Sequence, residues 1–174
     1  MTRTHQTITP HAYFLDALFA YKSKVNHIFK NILGLYHIHH IAISHINEQH
    51  ELLTFSSTPS LEFNLFNSDL WQFDNTYHSS WYESCSLSPW QLLYTPERYD
   101  DLFFSKQIKF DYPLGLSLAL KMETGHIVCS LASHQDTPET CALFASHYQS
   151  FYKISQYCSQ LLLPLFTDCN QLLP

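Results

Sequence analysis

The 174-residue sequence predicts an α+β fold: one antiparallel sheet of about five strands, with long N- and C-terminal helices on one face. Three observations carry this. Apolar residues recur at three- and four-residue steps near both ends of the chain, from Pro10 to about Leu33 and from Pro138 to about Leu163. Two pairs of strand-like runs, Tyr36–Ile46 with Glu51–Ser57 and Leu116–Met122 with His126–Ser133, are spaced as hairpins. The composition, 45% hydrophobic and 16% aromatic, is enough for a substantial core and excludes a disordered chain.

In the first helix Thr9 is a cap and Pro10 suits the first helical position, where its missing N–H costs nothing. Phe14, Ala17, Leu18, Tyr21, Val25, Ile28, Phe29 and Ile32 form its apolar stripe, and Gly34 ends it. The first hairpin turns at Asn47-Glu48-Gln49-His50. After Pro59, the spacing of Leu61, Leu65, Phe66, Leu70, Trp71 and Phe73 predicts one or two short helices. The polar-aromatic stretch Tyr77–Ser84 reads as a strand. Glu97–Gln107 reads as a short helix with Tyr99, Leu102, Phe103 and Phe104 on its apolar face. The second hairpin turns at Glu123-Thr124-Gly125, and Gly125 supplies positive φ. Pro164 is expected to kink or stop the closing helix. With hairpins on either side of a helical insertion, the order describes a single domain, 1–174, built as a PAS/GAF-like α/β/α sandwich with room for a pocket.

Charge and motifs exclude several functions. Nine Lys+Arg stand against fifteen Asp+Glu, a net charge of −6, so no cationic cluster exists to displace counterions from DNA. With three glycines, Gly34, Gly115 and Gly125, neither a P-loop nor a dinucleotide fingerprint can be written. The first ten residues lack the apolar segment of a secretory signal, and no apolar run is long enough to span a bilayer. Five scattered cysteines without a C-x-x-C pair fit free thiols in a reducing compartment. A cytoplasmic protein is expected, or one delivered by a specialised bacterial secretion system.

Twelve histidines invite a metal. His37, His39, His40 and His45 crowd one strand, where His37 and His39 share a face, but two ligands make an incomplete site and no metal or cofactor is expected. Cys85 with His78 is the best local nucleophile–base pair, although no glycine-rich oxyanion segment follows it. The aromatic group of Trp71, Phe73, Tyr77, Trp81, Tyr82 and Trp90 is the most informative feature. Any one ring reads as core. Together they fit an apolar pocket with a few polar handles, and equally an exposed patch that docks a partner.

The order and spacing from Tyr36 to Leu165 resemble the N-terminal, autoinducer-binding-like sensor domain of LuxR-type transcription regulators. The resemblance rests on the first hairpin, the Trp71–Trp81 region, the helix at Tyr99–Phe104, the Tyr112-Pro113-Leu114-Gly115-Leu116 entry to a strand, the Gly125 hairpin and the closing helix. It implies a ligand pocket walled by Trp71, Tyr77, Trp81 and Trp90, with Gly115 before the fourth strand. The homoserine-lactone binders of that family carry an Asp-Pro whose Asp holds the ligand amide; this sequence has no Asp-Pro, which argues against such a ligand. The family's helix-turn-helix output domain is not in this sequence either. The resemblance thus implies a stand-alone, non-enzymatic sensor that binds a small apolar ligand or a protein partner, with homodimerisation through the terminal helices. An interaction protein or bacterial effector reusing the fold is the alternative, and a Cys/His enzyme the third reading.

Overall fold

The computed structural model describes residues 7–172, so most of the segment read as lacking a secretory signal lies outside the described residues. Thr9–Pro10 form β1, followed by helices α1 (Phe14–Ala20) and α2 (Lys22–Phe29). Strands β2 (His40–Asn47) and β3 (Glu51–Ser56) make the first hairpin. A helical insertion contains α3 (Pro59–Asn67), α4 (Ser79–Tyr82) and α5 (Tyr99–Phe103), with short strand β4 (Leu87–Pro89) within it. Strands β5 (Leu114–Met122) and β6 (Gly125–Ser133) form the second hairpin, and helices α6 (Pro138–Ser146) and α7 (Tyr148–Asn170) close the chain. The sheet has six strands in the order β1-β3-β2-β6-β5-β4. All neighbours are antiparallel except β1 and β3, which makes the sheet mixed rather than purely antiparallel.

The two extra strands correct the sequence reading at the edges. Thr9 and Pro10 do not open a helix. Thr9 N–H donates to His50 O and His11 N–H to Leu52 O, both at 2.9 Å, so this segment extends along the free edge of β3. Proline is tolerated there because an edge strand needs no donor on its outer side. Helix α1 starts four residues later, where His11 Nδ1 accepts from Tyr13 N–H at 3.1 Å. The pattern in Leu87–Pro89 is too short to read, and pairing with β5 alone makes it a strand.

The helices depart from the reading at four places. The N-terminal helix breaks at Tyr21, which leaves Phe14 and Leu18 of α1 in the layer with α3 while Val25 and Phe29 of α2 join α7. Tyr77–Ser84 is not a strand; a 3-10 turn at Asn75–Tyr77 leads into α4. Tyr36 and His37 lie in a left-handed 3-10 turn ahead of β2, with φ of 50° and 62°. The closing helix breaks at His147 and then runs through Pro164 to Asn170. Leu165, Phe166 and Cys169 are buried beyond that proline, and their packing holds the last turns that local preference would release.

The two faces of the sheet differ in kind. One carries Ile41, Ile43, Leu53, Phe55, Leu116, Leu118, Ile127, Cys129 and Leu131 against α2, α6 and α7, with Phe29, Phe144, Phe151, Ile154 and Phe166 completing the core. The alternate residues, Ala42, Ser44, Thr54, Ser56, Ser117, Ala119, Ser130 and Ala132, form the opposite face under the insertion. This second face is mostly small and hydroxylic, with Ile46, Leu52 and Val128 as its larger residues, and of the small ones all but half-buried Ser130 are buried. Strand alternation puts the two sets on opposite sides without exception. At the hairpin tip Gly125 has φ of 138°, and a Cβ there would overlap Ile46 O of the neighbouring strand.

Candidate ligand-binding layer

The small-residue face is the floor of the candidate site, and the insertion is its roof. Ser44 and Thr54 hydroxyls meet at 2.7 Å, and Ser117 and Ser130 at 2.9 Å, so the floor is polar yet largely self-paired. Small floor residues leave the space above the sheet to whatever the insertion supplies. It supplies a packed aromatic group: Phe66 stacks on Trp71 with centroids 5.2 Å apart, and Tyr77 meets both edge-on at 5.4 and 6.3 Å.

Of the residues expected at a pocket, the structure brings Trp71 and Tyr77 together. With Ile8, Gln72, His78 and Ser79 they line an open cleft of about 500 Å³. Behind this wall the Tyr77 hydroxyl bonds Ser44 of the floor. Trp90 is fully buried deeper in the layer. Trp81 is half-buried and does not line this cleft; its Nε1–H donates to Ser88 Oγ at 3.1 Å. Gly115 lies under the indole of Trp90 and borders a second cleft of about 390 Å³ on the long-helix side, with Leu87, Phe144, Tyr148 and Tyr152.

Four ionisable residues buried in this layer were not singled out as site residues in the sequence. Lys106 Nζ stands 2.8 Å from Asp74 Oδ2 and 4.2 Å from the Trp90 ring centroid, in a fully desolvated ion pair capped by an aromatic face. The other Asp74 oxygen accepts from Thr76 N–H at 3.0 Å. His40 Nδ1 pairs with Thr58 Oγ1 at 3.0 Å, and Thr58 with Tyr112 OH at 2.8 Å. His40 Nε2 lies 3.6 Å from Glu62 Oε1. Burial, aided by the nearby Lys106 charge, lowers the His40 pKa to about 3; burial raises that of Glu62 to about 7 despite a Ser56 hydrogen bond.

One signal for two of them was present in the sequence. Glu62 precedes Leu65 and Phe66 by three and four residues, so it sits on the apolar stripe of α3, and Lys106 follows the buried Leu102 by four. Phe104, read as core, is exposed. A π-turn over Phe104–Ile108, closed by Lys109 N–H to Phe104 O at 2.9 Å, shifts the register and turns Lys106 and Gln107 inward instead.

The histidine run disperses. His37 pairs with Thr140 Oγ1 at 2.9 Å, His39 stacks on His134 with centroids 5.0 Å apart, and His45 packs on Phe166 on the long-helix side. Among the described residues no group of three His, Cys, Asp or Glu side chains is placed to hold a metal. His78 Nε2–H donates to Gln72 O at 2.8 Å. No helix among the described residues is long and apolar enough to cross a membrane.

The overall fold recurs in a solved structure. Escherichia coli SdiA, a LuxR-type regulator, superposes with a TM-score of 0.52 over 86% of this chain and 65% of its own, at 10% identity. The chain has the fold of the part of SdiA that it matches. SdiA in complex with octanoyl-rac-glycerol matches equally well, with a TM-score of 0.54 and 8% identity over 87% of this chain and 62% of SdiA. The chain therefore spans under two thirds of the length of the SdiA chains it matches. The resemblance to LuxR-type sensor domains read from element order holds at the level of the fold. No family model and no curated protein sequence matches the chain.

Proposed function

We propose that this chain is a non-enzymatic sensor domain that binds a small, largely apolar molecule between the hydroxylic face of the sheet and the insertion. The single observation that carries the reading is the asymmetry of the sheet. One face is filled with Ile, Leu and Phe under α2 and α7; the other is mostly Ala, Ser and Thr, with Ile46, Leu52 and Val128 its larger apolar residues, under an aromatic roof with an open cleft at Trp71 and Tyr77. The same layer carries the ligand in the reading the fold suggests, and SdiA in complex with octanoyl-rac-glycerol supplies a probe of the right kind. Trp71 and Tyr77 serve as the wall of the cleft. Trp90 backs the wall from below, held in place by Gly115.

Catalysis is not part of the proposal. His78 is engaged with a backbone carbonyl, and burial pushes the Cys129 thiol up and that of Cys158 up to about 12, far from nucleophilic thiolates. A protein partner is the second reading. Tyr157 and Leu161 are 44% and 43% exposed on α7, where a second copy docking on the terminal helices would cover them. Titration with 1-octanoyl-rac-glycerol, followed by tryptophan fluorescence and thermal unfolding, tests the first reading. A saturable spectral change with a rise in Tm supports it. No response across a series of acyl chain lengths, in a folded protein, refutes it.

A further inference from the structure

We propose that the outer face of the insertion is an interface with a second copy of this chain, made by two antiparallel copies of α5 and the π-turn that continues it. This surface is separate from the ligand-binding layer and from the terminal helices, and it does not rest on the ligand reading. It follows from the extra residue in the π-turn. Leu102, Lys106 and Gln107 turn inward and are buried, which leaves Asp100, Phe104, Ile108 and Lys109 exposed on the other side. Residues four or five apart stand over one another where a helix passes into a π-turn, so these four make one strip. Phe104 is 57% and Ile108 55% exposed, more than Tyr157 or Leu161 of α7. A phenylalanine and an isoleucine side by side in water are the centre of an interface that lacks its other half.

The charges at the two ends of the strip select the occupant. Asp101 is already held by Arg98 Nε at 2.7 Å, whereas Asp100 and Lys109 enter no ion pair among the described residues. Lys109 Nζ lies over the ring of its neighbour Phe110, 5.7 Å from the centroid. A strip with a carboxylate at one end, an ammonium at the other and apolar side chains between is complementary to itself reversed. An antiparallel pair with Asp100 opposite Lys109 places the two-fold axis between Phe104 and Ser105. The two Phe104 rings then meet at the axis, each Ile108 packs beside them, and an Asp100–Lys109 link closes each end. That is the self-complementarity an isologous interface requires. A uniformly acidic or basic partner would meet a like charge at one end. Lys106 is neutralised by Asp74 of its own chain and takes no part. From Asp100 to Lys109 the strip is about 13 Å long, so the contact belongs to the small class of interfaces and the dimer depends on concentration.

Sedimentation equilibrium of the full chain across its soluble concentration range, with charge-swap variants, tests the interface. The wild type is expected to dimerise, and Phe104→Ser to weaken the dimer about tenfold or more. Asp100→Lys and Lys109→Glu should each do the same alone, because a homodimer of either variant sets like charges against each other at both ends. Mixed in equal amounts the two variants should associate again, since their heterodimer restores an opposite pair at each end. All the substituted side chains are exposed, and circular dichroism confirms that each variant is folded. Three results overturn the proposal: a wild type that stays monomeric at every concentration, a mixture that associates no better than either variant alone, or a dimer lost in Leu161→Glu but kept in Phe104→Ser. The last would move the contact to the terminal helices.

Discussion

The indole of Trp90 lies against the Cα of Gly115, so close that a Cβ on residue 115 would stand 2.6 Å from Cε2 and nearer still to two other ring atoms. Trp90 is fully buried, so the ring has no free space to retreat into. It is also the face on which the Lys106 ammonium rests. The glycine on β5 thus fixes the depth of the aromatic layer.

Gly115→Ala is accordingly expected to destabilise the fold by about 1–3 kcal/mol, the usual cost of overpacking a closed site. It should also change the tryptophan emission, since the displaced ring is one of three. Urea unfolding with fluorescence detection measures both. An alanine variant as stable as the wild type, with the same spectrum, would show that the indole is not seated on residue 115.

Breaking the Asp74–Lys106 pair from one side should cost more than removing both charges. Lys106→Met leaves a carboxylate buried with only the Thr76 N–H, an expected loss of about 3–5 kcal/mol. Lys106→Met combined with Asp74→Leu removes the stranded charge and should recover part of that loss. A double-mutant cycle reads the coupling. Strict additivity of the two single changes would mean the pair is not a coupled unit.

The sequence made the fold legible wherever a segment's own pattern and its tertiary setting agree. The stripe of α2, the second hairpin with Gly125, and the alternation through Ile41 and Ile43 are of this kind. It misled where the setting prevails. Thr9-Pro10 carries every mark of a helix start, yet the open edge of β3 takes it as a strand. Pro164 should stop a helix, but buried Phe166 and Cys169 keep it going. In the site, Trp71 and Tyr77 were legible because clustered aromatics are rare outside walls and cores. His40 was not, because one imidazole in a run of four looks like its neighbours until the fold buries it. Asp74 and Lys106 lie 32 residues apart, and nothing local relates them.

The cysteines give a prediction that reports on packing. Cys141 is exposed and Cys85 partly so, while Cys129, Cys158 and Cys169 are buried free thiols. A thiol reagent on the native protein should label Cys141 quickly and Cys85 more slowly. The other three should react only when the chain opens, because burial both shields them and raises their pKa. Peptide mapping after labelling with and without denaturant makes the assignment. Rapid native labelling of Cys129 or Cys158 would contradict the close packing of β6 on α7.

The final prediction concerns pH. Glu62 binds its proton more tightly folded than unfolded, with a pKa raised from 4.5 to about 7. Its contribution to stability is therefore whole below pH 4.5 and is lost as the pH rises to about 7, by about 1.4 kcal/mol per pH unit in between. The buried histidines run the other way. His40 is lowered from 6.5 to about 3 and His45 to about 4, so their contributions are whole above pH 6.5 and are lost on acidification. Between pH 4.5 and 6.5 two histidines outweigh one carboxyl and stability rises with pH; just above 6.5 only Glu62 still acts, and stability declines. The charged and titratable groups facing Glu62 are His40, Lys106, Tyr77 and Tyr112; burial lowers the His40 pKa below that window and raises those of the two phenols above it. Glu62→Gln removes the carboxyl alone, so the stability of the variant relative to wild type should grow by about 3 kcal/mol between pH 5 and pH 8. Urea titrations of both proteins across that range measure the difference directly, with the histidine contributions cancelling. A difference that stays flat would place the Glu62 pKa at its ordinary value and the carboxylate in contact with water rather than sealed beneath the insertion.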